Sequence, residues 1–159
     1  MVQDSKPTHL TDASLDLALA VRRFARALVG PTAAQTADLL AHEALAAAGV
    51  SASSERAFAE AVHLNRRRVR SQTAQRSEAG SSGDADRGES LTALISGMPL
   101  DERETLLIVT LAQFSYEAAA RILDIPHATA LSRLMRARAR LDAARASPAG
   151  RIGHLRLVQ

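Results

Sequence analysis

Between Ser115 and Leu141 the chain reads SYEAAARILDIPHATALSRLMRARARL, and its helical periodicity breaks once, at Asp124-Ile125-Pro126. That single break limits the fold more than any other feature of the sequence. Ser115 has the character of a helix N-cap, and Glu117 complements the dipole of the first turn. Asp124 stands where a tight turn often takes glycine, and aspartate tolerates a left-handed backbone better than most residues. Ile125 is expected to drop into the core, and Pro126 stops one helix and starts the next. Residues 127–144 then form a second helix with Ala130, Leu134, Ala137 and Leu141 on its inner face. Helix, short turn and helix make a helix-turn-helix, a unit whose second helix enters the major groove of DNA.

The outward positions of that second helix are His127, Ala128, Leu131, Ser132 and Met135, flanked by Arg133 and Arg136 and extended by Arg138 and Arg140. Arginine binds phosphate through charge and guanine edges through two hydrogen bonds. A solvated surface helix is the plainer reading of the arginine run. A coiled-coil arm fits less well, because the heptad pattern does not persist. Lys6 is the sole lysine among 20 cationic residues, leaving 19 arginines. Such a bias also follows from a GC-rich genome, so the clustering carries more information than the count.

Aromatic residues make up only 3% of the 159 residues, so any core is built from Ala, Leu, Val and Ile. Ala and Leu favour helices, whereas strands prefer aromatic and β-branched side chains. The expected fold is all-α. With no cysteine there is neither a disulfide framework nor a thiolate metal site. The opening MVQDSKPTHLTD lacks the apolar core and cleavage pattern of a signal peptide. No apolar run approaches the roughly 20 residues that span a bilayer, so no membrane insertion is expected and the location is taken as cytoplasmic.

Along the chain, Leu15, Leu19, Arg22, Phe24, Leu28 and Val29 recur with helical spacing up to Gly30-Pro31. A second segment, 36–48, carries Leu39, Leu40 and Leu45 before Gly49. A third, 54–69, has Ser53 or Ser54 as its cap and Phe58, Val62 and Val69 on one face. Residues 71–89, SQTAQRSEAGSSGDADRGE, lose all periodicity and read as a flexible linker. Ser90 is expected to cap the next helix, which Gly97 and Pro99 end. Asp101-Glu102-Arg103-Glu104 then opens a helix whose body, TLLIVTLAQF, is nearly all apolar and central to the core. The sequence thus predicts two small helical domains, 12–70 and 90–145, joined by the linker 71–89 and followed by a tail, 146–159.

On these residues the chain resembles the extracytoplasmic-function group of the sigma-70 family of RNA polymerase sigma factors. Residues 115–141 are similar to the family's region 4 form SYEEIAEILGIPVGTVKSRLHRARERL, and ISGMPLDERETLLIVTLAQF to its LPERQREVLLLRELEGL. LAVRRFARALVG, ADLLAHEAL and RAFAEAVHLN resemble, more weakly, the region 2 segments LRRYARRLLGD, EDLVQETFL and RAWLFRIARN. The resemblance implies that the chain brings core RNA polymerase to promoter DNA. Its implied DNA contacts are His127, Thr129, Leu131, Ser132, Arg133, Arg136 and Arg138 in region 4, and Asn65, Arg66, Arg67, Arg68 and Arg70 in region 2. Asp38, Leu39, Leu40 and Glu43 fall in the polymerase-docking helix, and an anti-sigma factor is a further implied partner. Ala41 and His42 replace the family's Gln and Glu, Leu131 replaces its lysine, and only Phe58 remains of the aromatics before the melting surface.

Those departures keep two other function classes open. One is a sigma mimic that binds an anti-sigma factor through helix-in-groove contacts in a stress-response partner switch. The other is a generic helix-turn-helix regulator. An enzyme is not expected: His9, His42, His63, His127 and His154 lack metal-ligand spacing, and no catalytic triad order or phosphate loop appears. No cofactor is implied.

Overall fold

A computed structural model describes residues 12–49, 52–79 and 91–146. Helices alone make up the regular structure among these residues: α1 (Asp12–Val29), α2 (Ala34–Ala48), α3 (Ser54–Ala79), α4 (Leu91–Ser96), α5 (Leu100–Thr110), α6 (Tyr116–Leu123) and α7 (His127–Ala146). Local chemistry sets their ends. α1 stops at Gly30, whose φ of 103° suits a residue without a side chain and whose amide bonds to the Arg26 carbonyl at 3.0 Å. Ser53 caps α3, its Oγ accepting from the Arg56 amide at 3.3 Å. Ser90, the expected cap of α4, lies outside the described residues.

α3 departs from the sequence expectation. It continues through Ala79, so residues 71–79 of the expected linker are helical. That stretch contains no Gly or Pro before Gly80, and its Gln, Ala, Arg and Glu are good helix formers. Loss of apolar periodicity predicts a linker there, but a helix can extend into solvent without burying a face. α5 departs in the other direction. It ends at Thr110, and Leu111 to Phe114 leave the helix with Gln113 in the left-handed region at φ 59°.

α1, α2 and α3 pack successively on one another, and α7 packs on α5 and α6. The two groups do not stand apart: α3 contacts α6, and α1 contacts α4 and α5. One apolar cluster joins Val21, Phe24, Leu28, Leu40, Phe58 and Val62 to Leu107, Ile108, Ala119, Ile122 and Leu123. Within α1 the buried positions are Val21, Phe24, Ala25 and Leu28, while Leu15 and Leu19 face solvent. A smaller cluster of Met98, Leu106, Leu134 and Ala137 holds α7 to α5, with Leu141 packed against it.

Candidate nucleic-acid interface

The helix-turn-helix forms as its sequence specifies. The Ser115 Oγ accepts from the Ala118 amide at 3.2 Å. Asp124 takes the left-handed conformation at φ 53°, its amide bonding to the Arg121 carbonyl at 3.2 Å. The Ile125 amide reaches back to the Ala120 carbonyl at 3.0 Å. The Pro126 carbonyl accepts from Thr129 and Ala130 at 2.9 and 3.1 Å, starting α7. Ala130, Leu134 and Ala137 turn inward, so the opposite face of α7 is free.

On that face His127, Ala128, Ser132 and Met135 are exposed, and Met135 keeps 71% of its surface. Thr129 and Leu131 are half-buried at its edges. The His127 Nε2 lies 3.6 Å from Glu117 Oε1, linking the first turns of α6 and α7. The arginines differ sharply from one another. Arg136 and Arg140 share Glu102, Nε to Oε1 at 3.2 Å and Nε to Oε2 at 2.7 Å, yet both stay more than half exposed. Arg138 is exposed and makes no ion pair among the described residues. Arg133 points the other way: its side chain is 19% exposed, its Nε is 3.2 Å from Asp101 Oδ2, and its Nη1 is enclosed without a partner. As placed, Arg133 braces α7 against α5, a correction to its expected role on the outer face.

The other predicted contacts divide in the same way. Asn65 is only 3% exposed and belongs to the interior, so it presents nothing to DNA. Arg66 is committed to Glu104, with Nη2 to Oε2 at 2.7 Å and Nε to Oε1 and Oε2 at 3.2 and 3.0 Å. Arg67 and Arg70 are exposed and Arg68 half-buried, none with an ion pair among the described residues. In α2, Leu40 is a core residue at 3% exposure and cannot dock a partner, whereas Leu39 and Glu43 face solvent. The helical period puts consecutive leucines on different faces, and α1 and α3 cover the face that holds Leu40. Asp38 accepts both donors of the Arg22 fork at 2.7 and 2.8 Å and lies 3.3 Å from Arg26. The Arg22 hydrogen bonds hold its carboxyl down at about 2.

Acids on α5 organise the site in a way the sequence reading missed. Glu102 and Glu104 are both buried, Glu104 completely. Burial pushes the Glu104 carboxyl above its ordinary range, and Arg66 opposes that shift. Beside it, Arg103 donates to the carbonyls of Leu28, Ser96 and Met98, tying the ends of α1 and α4 to α5. Four charged residues ahead of an apolar run, DERETLLIV, were the available signal: charges at helical spacing beside core positions need partners. Arg66, Arg70, Asp101, Glu104, Asp124 and Arg133 surround a cleft of about 460 Å³ between α3 and the helix-turn-helix.

Together these features define a helical protein that presents a helix-turn-helix with one open, arginine-flanked face. Residues 88–141 match the family model described as Sigma-70, region 4. Comparison with curated proteins gives no match. Among solved structures the fold is similar to the sigma factor RpoE from Bartonella quintana, seen in complex with the anti-sigma factor NepR. The TM-score is 0.67 at 21% identity, covering 88% of this chain and 95% of that one. Residues 88–141 thus match a sigma-70 region 4 model, and the chain as a whole has a fold similar to that of RpoE.

Proposed function

We propose that the chain is a sigma factor of the extracytoplasmic-function type, which brings core RNA polymerase to promoters and starts transcription there. The observation that carries this reading is the open face of α7 within a matched region 4 domain. The N-terminal half of such a helix is the part that meets base edges. His127, Ser132 and Met135 would face the bases, Met135 offering apolar contact to thymine methyls. Arg136 and Arg138 would meet the flanking phosphates. Arg67, Arg68 and Arg70 form the region 2 contribution, and Asp38, Leu39 and Glu43 on α2 the contact with core polymerase. An anti-sigma factor is a further partner, since the similar RpoE binds one.

One observation favours a second reading. Unpaired strands are commonly held by stacking on aromatic rings, but Phe24 and Phe58 are both buried in the core. The N-terminal half thus has no exposed aromatic platform among the described residues, which suits a mimic that binds an anti-sigma factor without melting DNA. Transcription from the DNA upstream of its own coding sequence, with purified core polymerase, separates the two. A transcript that depends on the chain supports the initiator. Absence of a transcript, with retained binding to an anti-sigma factor, supports the mimic.

A further inference from the structure

We propose that Glu102, Arg136 and Arg140 form one composite phosphate site, in which a buried carboxylate fixes two guanidinium groups and cancels one of their charges. The proposal rests on the DNA-binding reading and adds Glu102 and Arg140 to it. Asp101, Glu102 and Glu104 lie near the start of α5, and their partners among the described residues differ in number. Asp101 pairs with Arg133 and Glu104 with Arg66, one acid to one arginine. Of the three, Glu102 alone faces two arginines, with Arg136 Nε 3.2 Å from Oε1 and Arg140 Nε 2.7 Å from Oε2. Two arginines against one glutamate leave one positive charge uncompensated at this point of the fold.

The contacts leave that charge at the surface. Arg22, Arg66 and Arg121 each set Nε and Nη2 on one carboxylate, which uses a whole edge of the fork. Arg136 and Arg140 give Glu102 only Nε, and none of their Nη nitrogens has a hydrogen bond among the described residues. Glu102 is 5% exposed, whereas both arginine side chains stay more than half exposed. An oxyanion reaching the Nη groups from solvent then competes with Glu102 for charge without displacing it from Nε. Arg136 and Arg140 are four residues apart on α7, so they project from adjacent turns, where like charges repel. Glu102 offsets that repulsion and holds the two forks together, and a single phosphate diester completes the charge balance. The site follows the exposed Ser132 and Met135 along α7, on the later part of such a helix, which reaches the DNA backbone.

Charge counting supplies the test. Arg136→Ala or Arg140→Ala leaves one arginine neutralised by Glu102, so either change alone removes the site. Arg140→Ala combined with Glu102→Gln leaves Arg136 uncompensated and restores it. Affinity of the full chain for a random-sequence duplex, measured by fluorescence anisotropy across a salt series, reports phosphate contacts alone. Each contact contributes about 0.9 to the salt slope, or about 3.5-fold of the affinity lost between roughly 50 and 200 mM salt. Each single arginine variant is expected to lose one such step, and Glu102→Gln with Arg140→Ala to recover the wild-type slope. Arg136→Ala with Arg140→Ala, in which Glu102 is opened to water, is expected to lose no further step. Only variants whose far-ultraviolet circular dichroism matches wild type are compared, and the double arginine variant decides the matter if Glu102→Gln does not fold. An unchanged slope in either single variant, a loss of two steps in the double arginine variant, or no recovery with Glu102→Gln would overturn the inference and leave DNA binding standing. Absence of DNA binding in every form would overturn the proposed function, and the inference with it.

Discussion

Replacing Phe58 by alanine tests whether the two halves fold as one unit. Phe58 on α3 sits between Phe24 on α1 and Phe114 on the α5–α6 connection, each ring centroid 5.1 Å away and edge-on. The three rings therefore bridge the N-terminal helices and region 4. A buried phenylalanine removes on the order of 200 Å² from water, worth about 5 kcal/mol at ~25 cal/mol per Å². Alanine retains only the β-carbon share, and core Phe→Ala changes cost roughly 3–5 kcal/mol. About 4 kcal/mol is expected here, a large part of the ~5–15 kcal/mol that holds a domain together. Phe58→Leu keeps most of the volume and loses mainly the two edge contacts, about 1–2 kcal/mol.

The assay is urea unfolding followed by two probes. Far-ultraviolet circular dichroism reports all helices. Tyr116 is the sole tyrosine and there is no tryptophan, so intrinsic fluorescence reports the start of α6. A change in the N-terminal half should move the Tyr116 transition as far as the helical one, in a single step. If Phe58→Ala splits the curve and leaves the Tyr116 midpoint in place, the shared core does not couple the halves and the reasoning fails.

Ser115→Ala should destabilise region 4 by about 1 kcal/mol, because the Ala118 amide loses its acceptor; thermal unfolding measures it. Asp38 contributes stability that is fully present above the ordinary carboxylate pKa of 3.8 and is lost as pH falls through about 2. Asp38→Asn should flatten that part of an acid-unfolding profile. Arg138→Ala should weaken DNA binding for all sequences and reduce the salt slope by about 0.9, whereas Arg133→Ala should chiefly loosen α7 from α5. Leu131→Lys should keep or strengthen promoter affinity by adding a cation, and should abolish binding to an anti-sigma helix if that helix buries Leu131.

Region 4 was legible because its signals are local. Ser115, Asp124 and Pro126 each act within one helical turn of themselves, so sequence order alone places the cap, the left-handed turn and the restart. Gly30 and Gly49 ended α1 and α2 for the same reason. What was not legible depends on distant partners. Leu39 and Leu40 look alike in the sequence, but only packing by α1 and α3 decides which is buried. Arg66 and Glu104 are 38 residues apart, and neither marks the other in the sequence. The overextended linker reflects a different limit: polar composition says that a segment buries little, not that it is non-helical.

Arginine content alone was weak evidence for nucleic-acid binding, and the structure shows what eight of the arginines do. Arg22, Arg66 and Arg121 each place Nε and Nη2 on both oxygens of one carboxylate. That arrangement needs the planar guanidinium fork and is unavailable to lysine. Arg26 shares Asp38 with Arg22; Arg133, Arg136 and Arg140 hold further carboxylates, and Arg103 holds backbone carbonyls. In a core poor in aromatics these forks take part of the load of orienting helices, so a bias toward arginine has structural use whatever its genomic origin. The case for DNA therefore rests on the arginines that this accounting leaves over. Arg67, Arg68 and Arg70 on α3 and Arg138 on α7 have no ion pair among the described residues, and each lies within a segment the sigma resemblance assigns to DNA. Arg136 is intermediate, since it shares Glu102 with Arg140 and a phosphate would compete with that carboxylate for it. Arginines with no partner inside the fold are the ones free to meet a phosphate without first breaking the protein's own contacts.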